Sequence, residues 1–274
     1  MSRWDWLIDN ARLEIYDFNI DRQEHFAVRD RFLPYYVMSY IQEGHARVEA
    51  DGKTYDLPAG SLMLTPAYMR HSQFMPEGAP PTTFLWWHFN ITVGGLDLMK
   101  LLSFPLVTPV QDTRAFEALF YEYLQCARRT PSLPGIIRRR AKEYEIMALL
   151  FSCAIEDGAP GDHVGEIPDA FFDMMQEIVE HPERSVSLES LSAKYFLNPS
   201  YISARFRKLF GISPIRLHQQ VVIERAKTIL REDASCTVSM LAQQLGFRDV
   251  ATFTHFFKTR EGCSPSDYRR KYFG

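Results

Sequence analysis

The sequence predicts an α+β chain of two domains, β-rich in its N-terminal part and all-helical at its C-terminal end. Three observations carry this. The length of 274 residues exceeds one ordinary domain; short strand-like runs punctuated by turn residues fill the stretch from Arg31 to Asn90; and one helical unit occurs twice after residue 183. With 46% hydrophobic and 24% charged residues the composition is that of a globular chain, which excludes disorder and fibrous structure. The longest apolar run, Met147 to Ile155, is far too short to span a membrane, and the N-terminus lacks a signal-peptide core, so a cytoplasmic protein is expected. Cys126, Cys153, Cys236 and Cys263 are widely spread with no CxxC pair, and are read as reduced structural thiols.

Taken in order, Tyr35 to Ile41 is a β-rich run broken by Glu43-Gly44, and Ala46 to Ala50 alternates. Asp51-Gly52 is a hairpin signal returning the chain through Lys53 to Leu57. Pro58-Ala59-Gly60 turns into Ser61 to Thr65, and Thr83 to Phe89 supplies another strand, a spacing that favours a sandwich or small barrel. Phe116, Leu119, Phe120 and Leu124, then Ile137, Tyr144, Met147, Ala148 and Phe151, fall at helical spacing, giving amphipathic helices over about 112–129 and 135–155. Such a pair packs on a sheet and also offers a dimer surface. Asp157 to Asp162 reads as a linker.

The formal net charge of -3 hides an asymmetry. Residues 183–274 hold 15 Lys plus Arg against 8 Asp plus Glu, an excess of +7, whereas residues 1–182 hold 16 against 26, a balance of -10. A basic domain joined to an acidic one points toward nucleic-acid binding, although two unrelated solvated surfaces give the same totals.

No catalytic constellation is found in the acidic half: there is no nucleophile elbow, phosphate loop or dinucleotide fingerprint. His45, His71 and His88 could be gathered around a metal, but a metal-binding barrel of the cupin type usually carries two His separated by one residue with a Glu shortly after, a pattern missing here. No metal, cofactor or catalytic residue is therefore expected. A small-molecule pocket fits better, because Phe84, Trp86 and His88 share one face of a strand and an aromatic floor with polar neighbours suits a sugar ring. Plain core packing explains either Trp of this strand taken singly.

The decisive feature is the repeat. Leu188 to Tyr195 resembles Val238 to Leu245 fifty positions on, and Ile202, Phe206, Arg207, Gly211 and Ser213-Pro214 match Phe253, Phe257, Lys258, Gly262 and Ser264-Pro265 after one extra residue in the second turn. Asn198-Pro199 and Asp249 supply helix caps, Gly211 and Gly262 supply stops, and the two serine-proline pairs start the following helices. Each unit is a short helix, a tight turn and a second helix with basic residues off its apolar face, the helix-turn-helix plan. Pro214 to Leu230 joins the units as a helix roughly 25 Å long, which could set two reading helices in successive major grooves. An ordinary helical bundle is the bland alternative, opposed by the duplication and the basic charge.

These residues, with Leu241-Ala242, Gly246-Phe247 and Tyr268-Arg269, make the C-terminal hundred residues resemble the AraC/XylS family of transcription regulators. The N-terminal half is similar to that family's cupin-type sensor domain through Glu43-Gly44, Asp51-Gly52-Lys53, Pro58-Ala59-Gly60, Pro66, His71 and Trp87-His88-Phe89. The resemblance implies a cupin-like β-barrel with two dimerisation helices over 1–156, a linker over 157–166, and two helix-turn-helix units joined by a long helix over 167–274. It places base contacts at Ser200, Ser203 and Ala204 in the first reading helix and at Ala251, Thr252 and His255 in the second, Ala204 standing where a long polar residue is frequent. Arg205, Arg207, Lys208 and Lys258 are read as phosphate contacts. Glu43, Gln73, Phe84, Trp86 and His88 are the expected effector-binding residues, with Trp86 as aromatic platform. The implied partners are double-stranded DNA, a sugar-like effector, a second copy of the chain and RNA polymerase, and the implied role is activation of carbohydrate-use genes. A cupin metalloenzyme with an accessory helical domain, or a regulator sensing a partner protein or a non-sugar metabolite, are the alternatives.

Overall fold

The computed structural model describes residues 2–102, 104–129, 132–154 and 166–273. In chain order the elements are α1 (Arg3–Asp9), β1 (Ala11–Gln23), β2 (Ala27–Arg31), β3 (Tyr36–Glu43), β4 (His45–Ala50), β5 (Lys53–Pro58), β6 (Ser61–Thr65), β7 (His71–Phe74), β8 (Thr82–Val93) and β9 (Leu96–Asp97). A 3-10 turn at Leu98–Leu101 leads to β10 (Val107–Pro109), α2 (Thr113–Ala127) and α3 (Leu133–Ala154). Then follow α4 (Asp169–Glu180), α5 (Leu188–Tyr195), α6 (Pro199–Phe210), α7 (Pro214–Glu232), α8 (Val238–Gln244), α9 (Val250–Glu261) and α10 (Pro265–Phe273). Leu13–Ile91 and Leu102–Asp162 form one compact unit; Met1–Arg12, Thr92–Leu101 and His163–Gly274 form the other.

In the β-rich unit the strands ladder as two antiparallel sheets that share one core, the double-sheet form of a small barrel. One sheet runs β1-β8-β3-β6-β10 and the other β2-β7-β4-β5; β9 pairs with Thr92 and Val93 at the end of β8, in the segment that belongs to the other unit. Asp51 and Gly52 both take positive φ, 51° and 73°, the geometry a two-residue hairpin needs, and Ala50 consequently pairs with Lys53. Alternation then sends Ala46 and Val48 inward to meet Val37 and Ile41 of β3, Met63 of β6 and Phe84 of β8. The apolar run in β8 arises because both its faces are covered. Leu85, Trp87 and Phe89 are fully buried, and Trp87 stacks edge-on with Tyr123 of α2 at 5.8 Å. Asp112 caps α2 by accepting from the Ala115 amide at 2.9 Å, and Glu117 fixes the helix by accepting from the Tyr40 hydroxyl at 2.7 Å and the Gln42 amide at 2.8 Å.

The helical unit is organised around α7, whose Val222, Ile223, Ala226 and Leu230 join Leu241, Phe253, Phe257 and Tyr268 in one core. Helix α4, not anticipated from the sequence, contributes Phe171, Phe172, Met174, Met175 and Ile178 as buried residues. Its Glu177 accepts from Lys194 at 2.6 Å and from the Tyr195 hydroxyl at 3.2 Å, tying it to α5. Two early segments complete this unit in addition to the expected 167–274. Helix α1 opens with a capping box between Ser2 and Asp5; its Trp6 and Leu7 are buried, Trp6 meets Phe172 edge-on at 5.8 Å, and the Trp6 indole N–H donates to Glu180 at 2.6 Å. Arg3 pairs with Asp169. The second segment passes so closely that a side chain on Gly94 would collide with Val221 and Val179. Of the expected linker, 157–165 lies outside the described residues. Cys126, Cys236 and Cys263 are free thiols, and no helix among the described residues is long and apolar enough to cross a membrane.

Candidate functional site

The duplicated unit takes the same form twice. In the first copy Asn198 accepts from the Ser200 and Tyr201 amides at 2.9 and 3.4 Å, and Pro199 opens α6. In the second, Asp249 accepts from the Thr252 amide at 2.7 Å, which together with the Thr252 hydroxyl holds its carboxyl below the usual range. Ile202 and Phe206, and equally Phe253 and Phe257, are wholly buried, so the opposite faces of α6 and α9 are the ones left to solvent. Those faces carry the residues expected to read bases: Ser200, Ala204, Ala251, Thr252 and His255 are exposed and Ser203 half-exposed. Arg207, Lys208 and Lys258 are also exposed and Arg205 half-exposed. Each helix stops at a left-handed glycine, Gly211 at φ 76° and Gly262 at φ 74°. Ser213 then caps α7 by accepting from the Arg216 amide at 3.3 Å, and Ser264 accepts from the Asp267 amide at 3.1 Å. The arrangement presents two short polar helices with basic flanks, a form that fits a groove while its lysines and arginines meet phosphates.

The β-rich unit holds a cavity of about 210 Å³, smaller than the pockets that take drug-sized molecules and matched to a single-ring ligand. Phe84, Trp86 and His88 line it from the strand face they share, and Gln73, expected from the family resemblance, lines it too. Glu43 does not: the register of β3 on β8 shifts between Ile41 and Glu43, and Glu43 instead pairs at 2.6 Å with Arg22 among exposed side chains. The Trp86 indole N–H donates to Asp21 at 2.6 Å, which fixes the ring against the cavity. Gln73 donates to Ser39 at 3.1 Å, bridging the two sheets. Burial, and then the Arg31 charge, lowers the His88 pKa to about 4, so at neutral pH its imidazole is uncharged and offers one donor and one acceptor.

Eight lining residues escaped the sequence reading: Asp17, Asp21, Gln23, Phe26, Val28, Arg31, Val37 and Ser39. Strand β1 carries too little alternation to mark Asp17 and Asp21, and Arg31 is placed by a bulge, so no sequence signal singles out any of the three. The three histidines weighed as metal ligands do not converge. His45 pairs with Asp56 at 3.3 Å, His71 bonds the Met69 carbonyl at 3.1 Å, and among the described residues no group of three or more His, Cys, Asp or Glu could hold a metal ion.

Comparison with known proteins identifies both parts of the chain. The family model for an AraC-like ligand binding domain matches residues 18–130, and that for a helix-turn-helix domain matches residues 191–271. The chain is 24% identical over 237 residues to the helix-turn-helix-type transcriptional regulator YdiP of Escherichia coli K12, covering 85% of this chain and 78% of that one. It is 24% identical to the Msm operon regulatory protein of Streptococcus mutans, over 86% of this chain and 84% of that one. A solved structure of ToxT from Vibrio cholerae is similar at 14% identity and a TM-score of 0.40, over 97% of this chain and 100% of that one. An AraC-like ligand-binding domain followed by a duplicated helix-turn-helix makes this chain a member of the AraC family of DNA-binding transcription regulators.

Proposed function

We propose that the chain is a cytoplasmic, effector-responsive activator of carbohydrate-use genes, in which a small sugar bound in the N-terminal cavity governs how α6 and α9 engage an operator. The observation that carries the sugar is the cavity itself: one indole wall, held by Asp21, beside neutral hydrogen-bonding groups on Ser39, Gln73 and His88. Within 1–156 the β-rich unit acts as sensor, and 167–274, completed by the two early segments, acts as reader. Ser200, Ser203, Ala204, Ala251, Thr252 and His255 touch bases, with Ala204 limited to apolar contact such as a thymine methyl. Arg205, Arg207, Lys208 and Lys258 touch phosphates, supplying affinity and salt dependence. The α2–α3 pair is the surface for a second copy, and activation brings the reader beside RNA polymerase.

Two measurements on the full chain test this. Retention of DNA from upstream of its target genes is expected to fall with salt, and Arg207→Ala should weaken binding to all sequences alike while reducing the salt slope by about 1. No retention of any such DNA at low salt overturns the reading. A thermal-shift panel of monosaccharides should contain at least one that raises the melting temperature by mass action; a response confined to non-sugar metabolites replaces the sugar with that class.

A further inference from the structure

We propose that the cavity of the β-rich unit is built for an acidic ligand, a single-ring sugar acid whose carboxylate is held by Arg31; this rests on the reading of that cavity as the effector site. Arg31 reaches the cavity through an irregularity in the chain. The register of β2 on β7 shifts between Val28 and Arg31, and Asp30 sits within that shift at φ 48°, a left-handed conformation that a residue with a side chain adopts at a cost. Plain alternation from Val28 would turn Asp30 inward. The bulge turns Arg31 inward in its place.

The guanidinium arrives there uncommitted. Asp30 pairs with Arg70 at 2.8 Å, Glu49 pairs with Arg29 at 3.5 Å, and Asp21 accepts from Trp86 at 2.6 Å. Asp17, on the exposed rim, accepts from the Phe18 amide at 2.9 Å. Arg31 itself, half-buried, makes no ion pair among the described residues. A half-enclosed arginine without a carboxylate presents a planar fork of donors matched to one, while Trp86, Gln73 and His88 remain for the ring and its hydroxyls. The same surroundings set the charge of the ligand. The lining also carries the carboxylates of Asp17 and Asp21, neither bonded to Arg31, and holds no helix N-terminus, so Arg31 can offset one negative charge at most and a doubly charged phosphate ester is disfavoured.

The test uses the full chain and measures binding by calorimetry and by the fluorescence change of Trp86, against D-galacturonate, D-glucuronate, their neutral parents galactose and glucose, the corresponding sugar phosphates, and benzoate. One uronate is expected to bind roughly tenfold to a hundredfold more tightly than its neutral parent, the range a charge-assisted hydrogen bond supplies. Arg31→Gln should erase that margin and Arg31→Lys should keep part of it, with both variants unfolding at the wild-type urea midpoint. A neutral parent that binds as tightly as its acid, a margin that survives Arg31→Gln, or a sugar phosphate that binds best overturns the inference and leaves the sugar effector standing. Benzoate binding alone, lost in Arg31→Gln, overturns the sugar and retains the arginine as carboxylate receptor; no binding across the panel overturns both.

Discussion

The two helix-turn-helix copies solve the same step of their turn with different residues. At the residue after α5 and its counterpart fifty positions on, the backbone is left-handed in both, at φ 55° for Phe196 and φ 75° for Gly246. Phe196 stands 92% exposed, so its side chain packs on nothing that offsets the conformation. At Gly246 the space a Cβ would need is filled by the backbone of Glu183. Conformation alone therefore does not dictate glycine; a neighbour against the Cα does. The copies differ on the reading face too, where His255 of α9 occupies the position that Ala204 takes in α6.

Gly246→Ala adds a left-handed penalty to a collision with the Glu183 backbone and is expected to cost about 3 kcal/mol in denaturant unfolding. Gly211→Ala and Gly262→Ala, with nothing within 4 Å of either Cβ position, should each cost only about 1 kcal/mol. Equal losses at all three sites would show that backbone conformation is the whole story. Next in size, His255→Ala should flatten base preference in the second half-site by about 1–3 kcal/mol, seen by competition between operator variants, whereas Ala204→Gly leaves preference in the first half-site nearly unchanged. The smallest effect is expected from Phe196→Gly, a gain of less than about 1 kcal/mol; a loss of stability would mean that the phenyl ring is held by something after all.

What the sequence disclosed followed the strength of its periodic signals. Duplication made α5 to α10 legible down to the caps Asn198 and Asp249, because a cap and a stop are chemical necessities at fixed places. Strands with one well-buried face, such as β4, were legible for the same reason. Strand β1 was not, since only Leu13 among its residues is fully buried, and an edge with half-exposed faces leaves little alternation to see. Helix α4 went unread although it is strongly amphipathic, because it follows the linker and precedes the repeat. In the cavity, regular alternation delivered Phe84, Trp86 and His88. The resemblance carried Glu43 into the pocket and alternation missed Arg31, and a register shift separates structure from expectation in each case.

The placement of α1 in the helical unit also constrains how the chain is made. Trp6 emerges from the ribosome 174 residues before the Glu180 that accepts its indole proton, an interval of roughly 10–30 s at ordinary elongation rates. Throughout synthesis of the β-rich unit the Phe172 ring and Glu180 carboxylate that Trp6 meets are absent, and these contacts are among the longest in sequence separation in the unit. Helix α1 thus waits for α4 before it can complete its packing, which leaves it open to chaperones and proteases while translation proceeds.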